Sequence, residues 1–239
     1  MSCCDPGLYD DQFDAPSAEA ELREYRRHGP REWTARLIDG LADGGIDGMT
    51  VLDIGAGVGA VHHALLEAGA LSAVNVEASG PYLAASRREA ERRGLGDQVT
   101  YHKGDAVAIA GDLLPADIVV LDRVVCCYPD MAGLVAVAAG HTRRRLGLVL
   151  PRDDPWVRAV VAVSNGWNRL RGDPFRFHAH RTTAVEGVVT AAGLVARSSH
   201  RGVFWQSLVF ERVGAGRANR RSGSAMLRGP RPETEASDG

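Results

Sequence analysis

In T-V-L-D-I-G-A-G-V-G, residues Thr50 to Gly59, apolar residues enclose one acid, Asp53, and give way to glycines at alternate positions. That is the pattern of a buried strand ending in a tight turn. A helix is expected to follow from near Val58, with Val61, Leu65 and Leu66 on one face. Glycine suits such a turn because it takes positive φ, and because a missing Cβ lets a ligand lie against the backbone. The turn is a candidate floor for a nucleotide-like ligand.

The spacing bears on which ligand. Dinucleotide sites space their glycines G-x-G-x-x-G, so that a pyrophosphate rests on a helix N-terminus. Here Gly59 comes one residue early, and Asp53 just before the glycines repels a phosphate and attracts an ammonium group. S-adenosylmethionine (SAM) has a sulfonium and an amino group and no phosphate. The stretch resembles the first motif of the class I SAM-dependent methyltransferases, V-L-D-x-G-x-G-x-G. The resemblance implies that Asp53, Gly55, Ala56, Gly57 and Gly59 hold the methionine end of the cofactor. It also implies a doubly wound α/β fold, with a seven-stranded, mostly parallel sheet closed by an antiparallel C-terminal hairpin strand.

At 239 residues and a formal net charge of −2, the chain reads as one α/β domain with an N-terminal addition, without a general pull on nucleic acid. No apolar run is long enough for a membrane span and the N-terminus lacks a signal-peptide pattern, so a cytoplasmic protein without a membrane partner is expected. Cysteines occur as Cys3-Cys4 and Cys126-Cys127, without the C-x-x-C spacing of a zinc ribbon. No metal is expected, although the two pairs would form a thiol cluster if the N-terminal segment folded over the pocket.

Residues 1–45 read as a mobile arm, to about residue 16, followed by two cap helices. Ser17 is a possible N-cap of the first, and Trp33, Leu37, Ile38 and Leu41 form the inner face of the second. Two helices before the first strand resemble the N-terminal cap of many small-molecule methyltransferases, a resemblance that implies closure of Tyr9 or Tyr25 on the cofactor; the alternative is that these aromatics only dock the helices. Residues 46–213 form the main domain and 214–239 a disordered tail.

Within the domain, the second strand ends in Glu77, about twenty residues past the glycines, where a carboxylate can accept from a ribose diol. Arg87, Arg88, Arg92 and Arg93 read as the solvated face of the following helix. After a third strand comes Gly104-Asp105-Ala106. The methyltransferase resemblance continues there and implies that Asp105 lies near the adenine amino group, with Ala106 leaving room for the ring.

A fourth, largely apolar strand ends in D-R-V-V-C-C-Y-P-D, from Asp122 to Asp130. Ligands in open α/β sheets lie outside the carboxyl ends of the strands, so Asp122, Arg123 and Tyr128 are expected at the pocket. A later helix, Trp156 to Leu170, has Trp156, Val160, Val163 and Trp167 spaced to pack on the sheet. The next loop brings Phe175, Phe177, His178, His180 and Arg181 together as substrate-recognition material, with the two histidines pointing apart if the segment is a strand. A hairpin turning at His200 to Gly202 closes the sheet.

The expected activity is methyl transfer from SAM to a small molecule through an O, N, S or C nucleophile, with Tyr128, His178 and His180 as candidate bases. A fainter similarity, in P-R-D-D-P-W and the F-W-Q-S-L-V-F-E ending, is to the magnesium-protoporphyrin O-methyltransferases. Protein and nucleic-acid acceptors are disfavoured by D-R-V-V where N-P-P-Y or D-P-P-Y would stand. A SAM-binding protein without catalysis and an NAD-dependent oxidoreductase remain alternatives from other classes. Oligomeric state is not legible.

Overall fold

The computed structural model describes residues 6–214. Cys3 and Cys4, and the expected tail from residue 215 onward, lie outside the described residues. Three N-terminal helices, α1 (Pro6–Gln12), α2 (Ala15–His28) and α3 (Glu32–Ala42), precede the sheet. Then follow β1 (Thr50–Ile54), α4 (Ala60–Glu67), β2 (Ser72–Glu77), α5 (Gly80–Arg93), β3 (Val99–Lys103), β4 (Ala116–Asp122), α6 (Met131–His141) and β5 (Thr142–Pro151). The chain closes with α7 (Pro155–Leu170), α8 (Thr182–Ala191), β6 (Leu194–Arg201) and β7 (Trp205–Arg212).

The seven strands lie in the order β3-β2-β1-β4-β5-β7-β6, with β7 antiparallel to both β5 and β6 and the others parallel. Side chains alternate between the two faces of a strand, and the core divides accordingly. Val51, Ile118, Val120, Val149 and Val209 face α3 and α4, against Leu37, Leu41, Val61 and Leu65. Leu52, Val119, Leu121, Leu148 and Phe210 face α6 and α8, against Leu134, Ala138, Val185 and Val189. Burying each of the larger side chains contributes about 1.5–3 kcal/mol. Gly147 in β5 lets α3 come close, because a Cβ there would stand 2.9 Å from both Leu37 and Leu41.

Several details differ from the sequence reading. Residues 6–12 of the expected arm form a helix, fixed from outside: Lys103 Nζ and the Gly80 amide both donate to Asp10, at 2.8 and 2.7 Å. Asp14, not Ser17, caps α2, accepting from the Ser17 amide. The α5 arginines are engaged rather than merely solvated. Arg26, Arg92 and Arg93 converge on the fully buried Glu89, Arg88 pairs with Glu19, and Arg87 lies over Tyr101. These contacts clamp α2 to α5. The closing hairpin turns two residues later than expected, with β6 continuing to Arg201 and the Gly202 amide donating to the Trp205 carbonyl. Finally, α7 does not pack its large apolar residues on the sheet. Val157 is its one buried residue, while Trp156, Val160, Val163 and Trp167 are exposed.

Candidate active site

The strand order reverses between β1 and β4, and a cavity of about 250 Å³ opens at their carboxyl ends. Such a switch point is where open α/β sheets take their ligands. Gly55, Gly57 and Gly59 have φ of 64°, 57° and 86°, the left-handed region that other residues adopt at a cost. The three glycines answer different needs. A Cβ on Gly55 would come 2.5 Å from Val124 Cγ2, and one on Gly59 would meet His63 Cε1 at 2.5 Å and Ser86 Oγ at 2.6 Å. On Gly57 it would find Tyr82 no nearer than 3.8 Å, so this is the glycine whose missing side chain opens the turn to the cavity.

Glu77 ties the turn to β2. Its Oε2 accepts from the Gly57 amide and its Oε1 from the Ser79 amide, both at 2.9 Å. Burial pushes its carboxyl upward, and those backbone N–H groups oppose the shift. Gly104, Asp105 and Ala106 form the next wall. Asp105 accepts from Tyr128 Oη at 2.9 Å and from the Val107 amide at 2.9 Å. Tyr128 thus directs its hydroxyl proton into a carboxylate, the posture of a group that orients Asp105 and not of a base.

Asp122 and Arg123 close the cavity from β4. Thr34 Oγ1 donates to Asp122 Oδ2 at 2.9 Å, tying α3 to the site. Asp122 Oδ1 is buried with no hydrogen bond, and Arg123 Nε stands 3.8 Å from it. Burial raises the Asp122 carboxyl, against the pull of Arg123. Arg123 has φ of 61°, alone among the described non-glycine residues in that region, so the chain is strained where it leaves β4. Its guanidinium donates to Glu21 Oε1 at 2.7 Å, and Tyr82 Oη donates to Glu21 Oε2 at 2.9 Å. Tyr9, Phe13 and Glu21 bring the N-terminal helices over the cavity.

Some expected site residues lie elsewhere. Asp53 is fully buried beneath the turn, outside the cavity wall, with Oδ2 2.8 Å from His62 Nδ1. Burial pushes its carboxyl up to about 7 and holds His62 down at about 3. It supports the turn from behind instead of facing a ligand. Ala56 and Gly59 also stand outside the wall. His178 and His180 are not brought into the cavity. They stack at 5.3 Å, interplanar angle 17°, in a separate recess under α7 beside Arg158 and Asn165. The segment is not a strand, so the rings share a side instead of alternating. His180 Nε2 is 3.1 Å from the Tyr128 carbonyl, and burial lowers the affinity of both rings for a proton. Tyr25 packs under Arg93, 4.9 Å from ring centre to guanidinium, away from the cavity.

Cys126 and Cys127 do reach the cavity wall, their Sγ atoms 3.6 Å apart near the Arg123 carbonyl. Sequence reasoning missed Glu21 and Tyr82. Glu21 is one acid among many on an amphipathic helix, and Tyr82 follows a strand as any helix-start aromatic would.

The wall can be tested against a SAM-like ligand. Glu21, Glu77, Asp105 and Asp122 face a single cationic side chain, Arg123. Such a lining favours a cationic ligand and repels a pyrophosphate. The open Gly57, the Glu77 carboxylate beside it and the Asp122 oxygen that has no hydrogen bond supply a cradle and acceptors for hydroxyl and ammonium donors. The residues present fit the cofactor.

Residues 51–144 match the family model described as "Methyltransferase domain". The ribosomal protein L11 methyltransferase of Photorhabdus laumondii is 26% identical over 151 residues, covering 60% of this chain and 51% of its own length. The chain spans about half the length of the curated relatives it matches. Among solved structures, magnesium protoporphyrin IX methyltransferase from Synechocystis PCC 6803 with bound SAH superposes with a TM-score of 0.69 at 20% identity, covering 87% of this chain and 99% of that one. An O-methyltransferase family protein from Burkholderia thailandensis gives a TM-score of 0.65 at 18% identity, covering 86% of this chain and 61% of the other.

Proposed function

The chain carries a methyltransferase domain of the class I, Rossmann-like type, and on that premise we propose that it binds SAM in the cavity over the glycine turn and methylates a small-molecule acceptor. The observation that carries this reading is the wall itself: an acidic, glycine-floored cavity in which Glu77 and Gly57 are joined by a hydrogen bond.

When bound, SAM supplies a methyl group made electrophilic by its sulfonium. The protein's part is then position and the exclusion of water. Glu77, with one lone pair on each oxygen already aimed by a backbone donor, presents the others to a ribose diol. Asp105, held by Tyr128 and Val107, offers an acceptor at the adenine end. Asp122, with no hydrogen bond on Oδ1, is the acceptor for the amino group. Tyr9 and Phe13 close the cavity from the N-terminal side, and Phe177 and Trp205 supply apolar surface for the acceptor. Among the described residues the cavity wall holds no histidine, and two of its three tyrosines, Tyr82 and Tyr128, donate their hydroxyls to carboxylates. This favours an acceptor that needs no proton removed at the moment of attack, such as a carboxylate.

Esterification of a porphyrin-type carboxyl is the more specific reading. Its support is the likeness over nearly the whole length of the Synechocystis protein. The relatives named ribosomal protein L11 methyltransferases point instead to a protein acceptor, but the match spans about half their length. A screen with radiolabelled SAM tests the proposal: label transferred to metalloporphyrin or small carboxylic acids supports it. Transfer confined to a ribosomal protein would refute the small-molecule acceptor.

A further inference from the structure

Adjacent side chains on an extended chain point to opposite faces, so neighbouring cysteines in such a segment hold their thiols apart. Beyond β4 the chain instead makes a single 3-10 turn, Val125–Cys127. That turn brings Cys126 Sγ and Cys127 Sγ to 3.6 Å from one another, and both thiols donate to the Arg123 carbonyl, at 3.2 and 3.7 Å. Both side chains line the cavity, although Cys126 is otherwise buried. The proposed methyl transfer uses neither thiol.

Geometry and charge decide what such a pair can hold. A disulfide fits poorly. The Cα atoms of adjacent residues stand about 3.8 Å apart, short of the usual range of about 4.4–6.8 Å, and the sulfurs would have to close to about 2.05 Å. One atom bonded to both sulfurs at about 2.3 Å, the length of a metal–thiolate bond, leaves them about 3.3–3.8 Å apart for bond angles from about 90° to 110°. The observed separation lies within that range. A zinc-like ion takes four ligands, and among the described residues no group of three His, Cys, Asp or Glu side chains is placed to hold a metal. Such an ion also needs deprotonated thiols. The hydrogen bond with Cys127 and burial push the Cys126 thiol well above its ordinary range, so Cys126 keeps its proton at neutral pH. A neutral, three-coordinate centre meets neither obstacle, because it brings its own third substituent and its hydroxyl groups take the thiol protons away as water. Val124, Leu134, Phe177 and Trp205 give the cavity apolar wall for a carbon substituent.

We propose that Cys126 and Cys127 form a dithiol site for a trivalent organoarsenical, R–As(OH)2. Two As–O bonds are exchanged for two As–S bonds, both thiol protons leave in two molecules of water, and no atom changes oxidation state. Soft sulfur donors suit a soft acceptor of this kind. The inference does not rest on the cofactor, because it uses only the two sulfurs and the wall beside them.

Phenylarsine oxide is the probe, added to the phosphine-reduced full chain carrying Cys3→Ser and Cys4→Ser, so that Cys126 and Cys127 are its only thiols. Intact mass measured on the folded chain is expected to show one phenylarsenic group, kept in excess monothiol and removed by a dithiol. The melting temperature is expected to rise, since the group stabilises the fold only if the folded site holds it more tightly than the unfolded dithiol does. Adding Cys127→Ser is expected to weaken capture by about a hundredfold or more through loss of the second bond. Cys127 is half-buried, so this variant tests the pair while leaving the buried Cys126 in place. No adduct on the folded chain would overturn the proposal, as would undiminished capture by the Cys127→Ser variant. An adduct that leaves the melting temperature unchanged or lowers it would also overturn it, by assigning the dithiol to the unfolded chain.

Discussion

His62 Nδ1 sits 2.8 Å from Asp53 Oδ2, with both side chains sealed from solvent beneath the glycine turn. The contact extends through His62 Nε2 to Ser86 Oγ at 3.4 Å, and Asn75 donates to that same oxygen at 3.0 Å. Gly59 fits over His62, His63 and Ser86 because it has no Cβ. The acid of the first motif therefore acts on the ligand through the shape of the turn. Asp53→Ala is expected to leave His62 Nδ1 without its hydrogen-bond partner and lower stability by about 1–3 kcal/mol. Asp53→Asn, which keeps the contact, should cost clearly less. Thermal melting of the two variants, with SAM affinity measured below each transition, checks this.

The pH dependence of stability should come from His63 more than from the pair. Burial holds His63 near 2, so it stays neutral in the fold while the unfolded chain protonates it below about 6.5. Its contribution is full above that value and is lost as pH falls. Asp53 and His62 largely offset one another between about pH 4 and 6.5. The fold keeps a proton on Asp53 that the unfolded chain releases, and refuses one on His62 that the unfolded chain takes up. Denaturant unfolding of His63→Gln between pH 4 and 8 should show a shallower decline on the acid side than the parent. An unchanged slope would place the titration elsewhere.

The glycines should differ on substitution. Gly55→Ala places a methyl 2.5 Å from Val124 and Gly59→Ala places one against His63 and Ser86, so both should lose stability by about 2 kcal/mol or more. Gly57→Ala meets no such clash and should cost about 1–2 kcal/mol for its backbone alone, while losing cofactor affinity out of proportion to stability. Melting and binding measured on the three together distinguish a turn that packs from a turn that cradles.

Because His178 and His180 lie in the recess under α7, replacing either with alanine should leave the cavity and its turnover intact. Tyr128→Phe removes a hydrogen bond to Asp105 and should weaken cofactor binding several-fold, by about 1 kcal/mol, without a shift in the pH profile of turnover. A large loss of kcat in either histidine variant would restore a base role.

The strand, the glycines and the order of elements were legible in the sequence because they are local. Buried β-strands need apolar runs, and a tight turn under a ligand needs glycine. Less legible was whatever depends on distant partners. The seven residues P-G-L-Y-D-D-Q make a helix because Lys103 and Gly80 hold Asp10. The basic face of α5 is neutralised by Glu89, an acid buried on the same helix. Spacing of apolar residues in α7 identified a helix correctly but not what its face meets, since periodicity is the same for a core contact and for an open surface. Asp53 was recognised by type and position, yet its neighbour His62, nine residues on, decides that it looks away from the cavity.

The central claim is that the acidic cavity over the glycine turn holds SAM. Calorimetric titration of the full chain with SAM, S-adenosylhomocysteine and NAD tests it most directly. Saturable binding of the first two, weakened in Glu77→Ala and absent for NAD, is the expected result; binding of NAD alone, or SAM binding indifferent to Glu77→Ala, would contradict it.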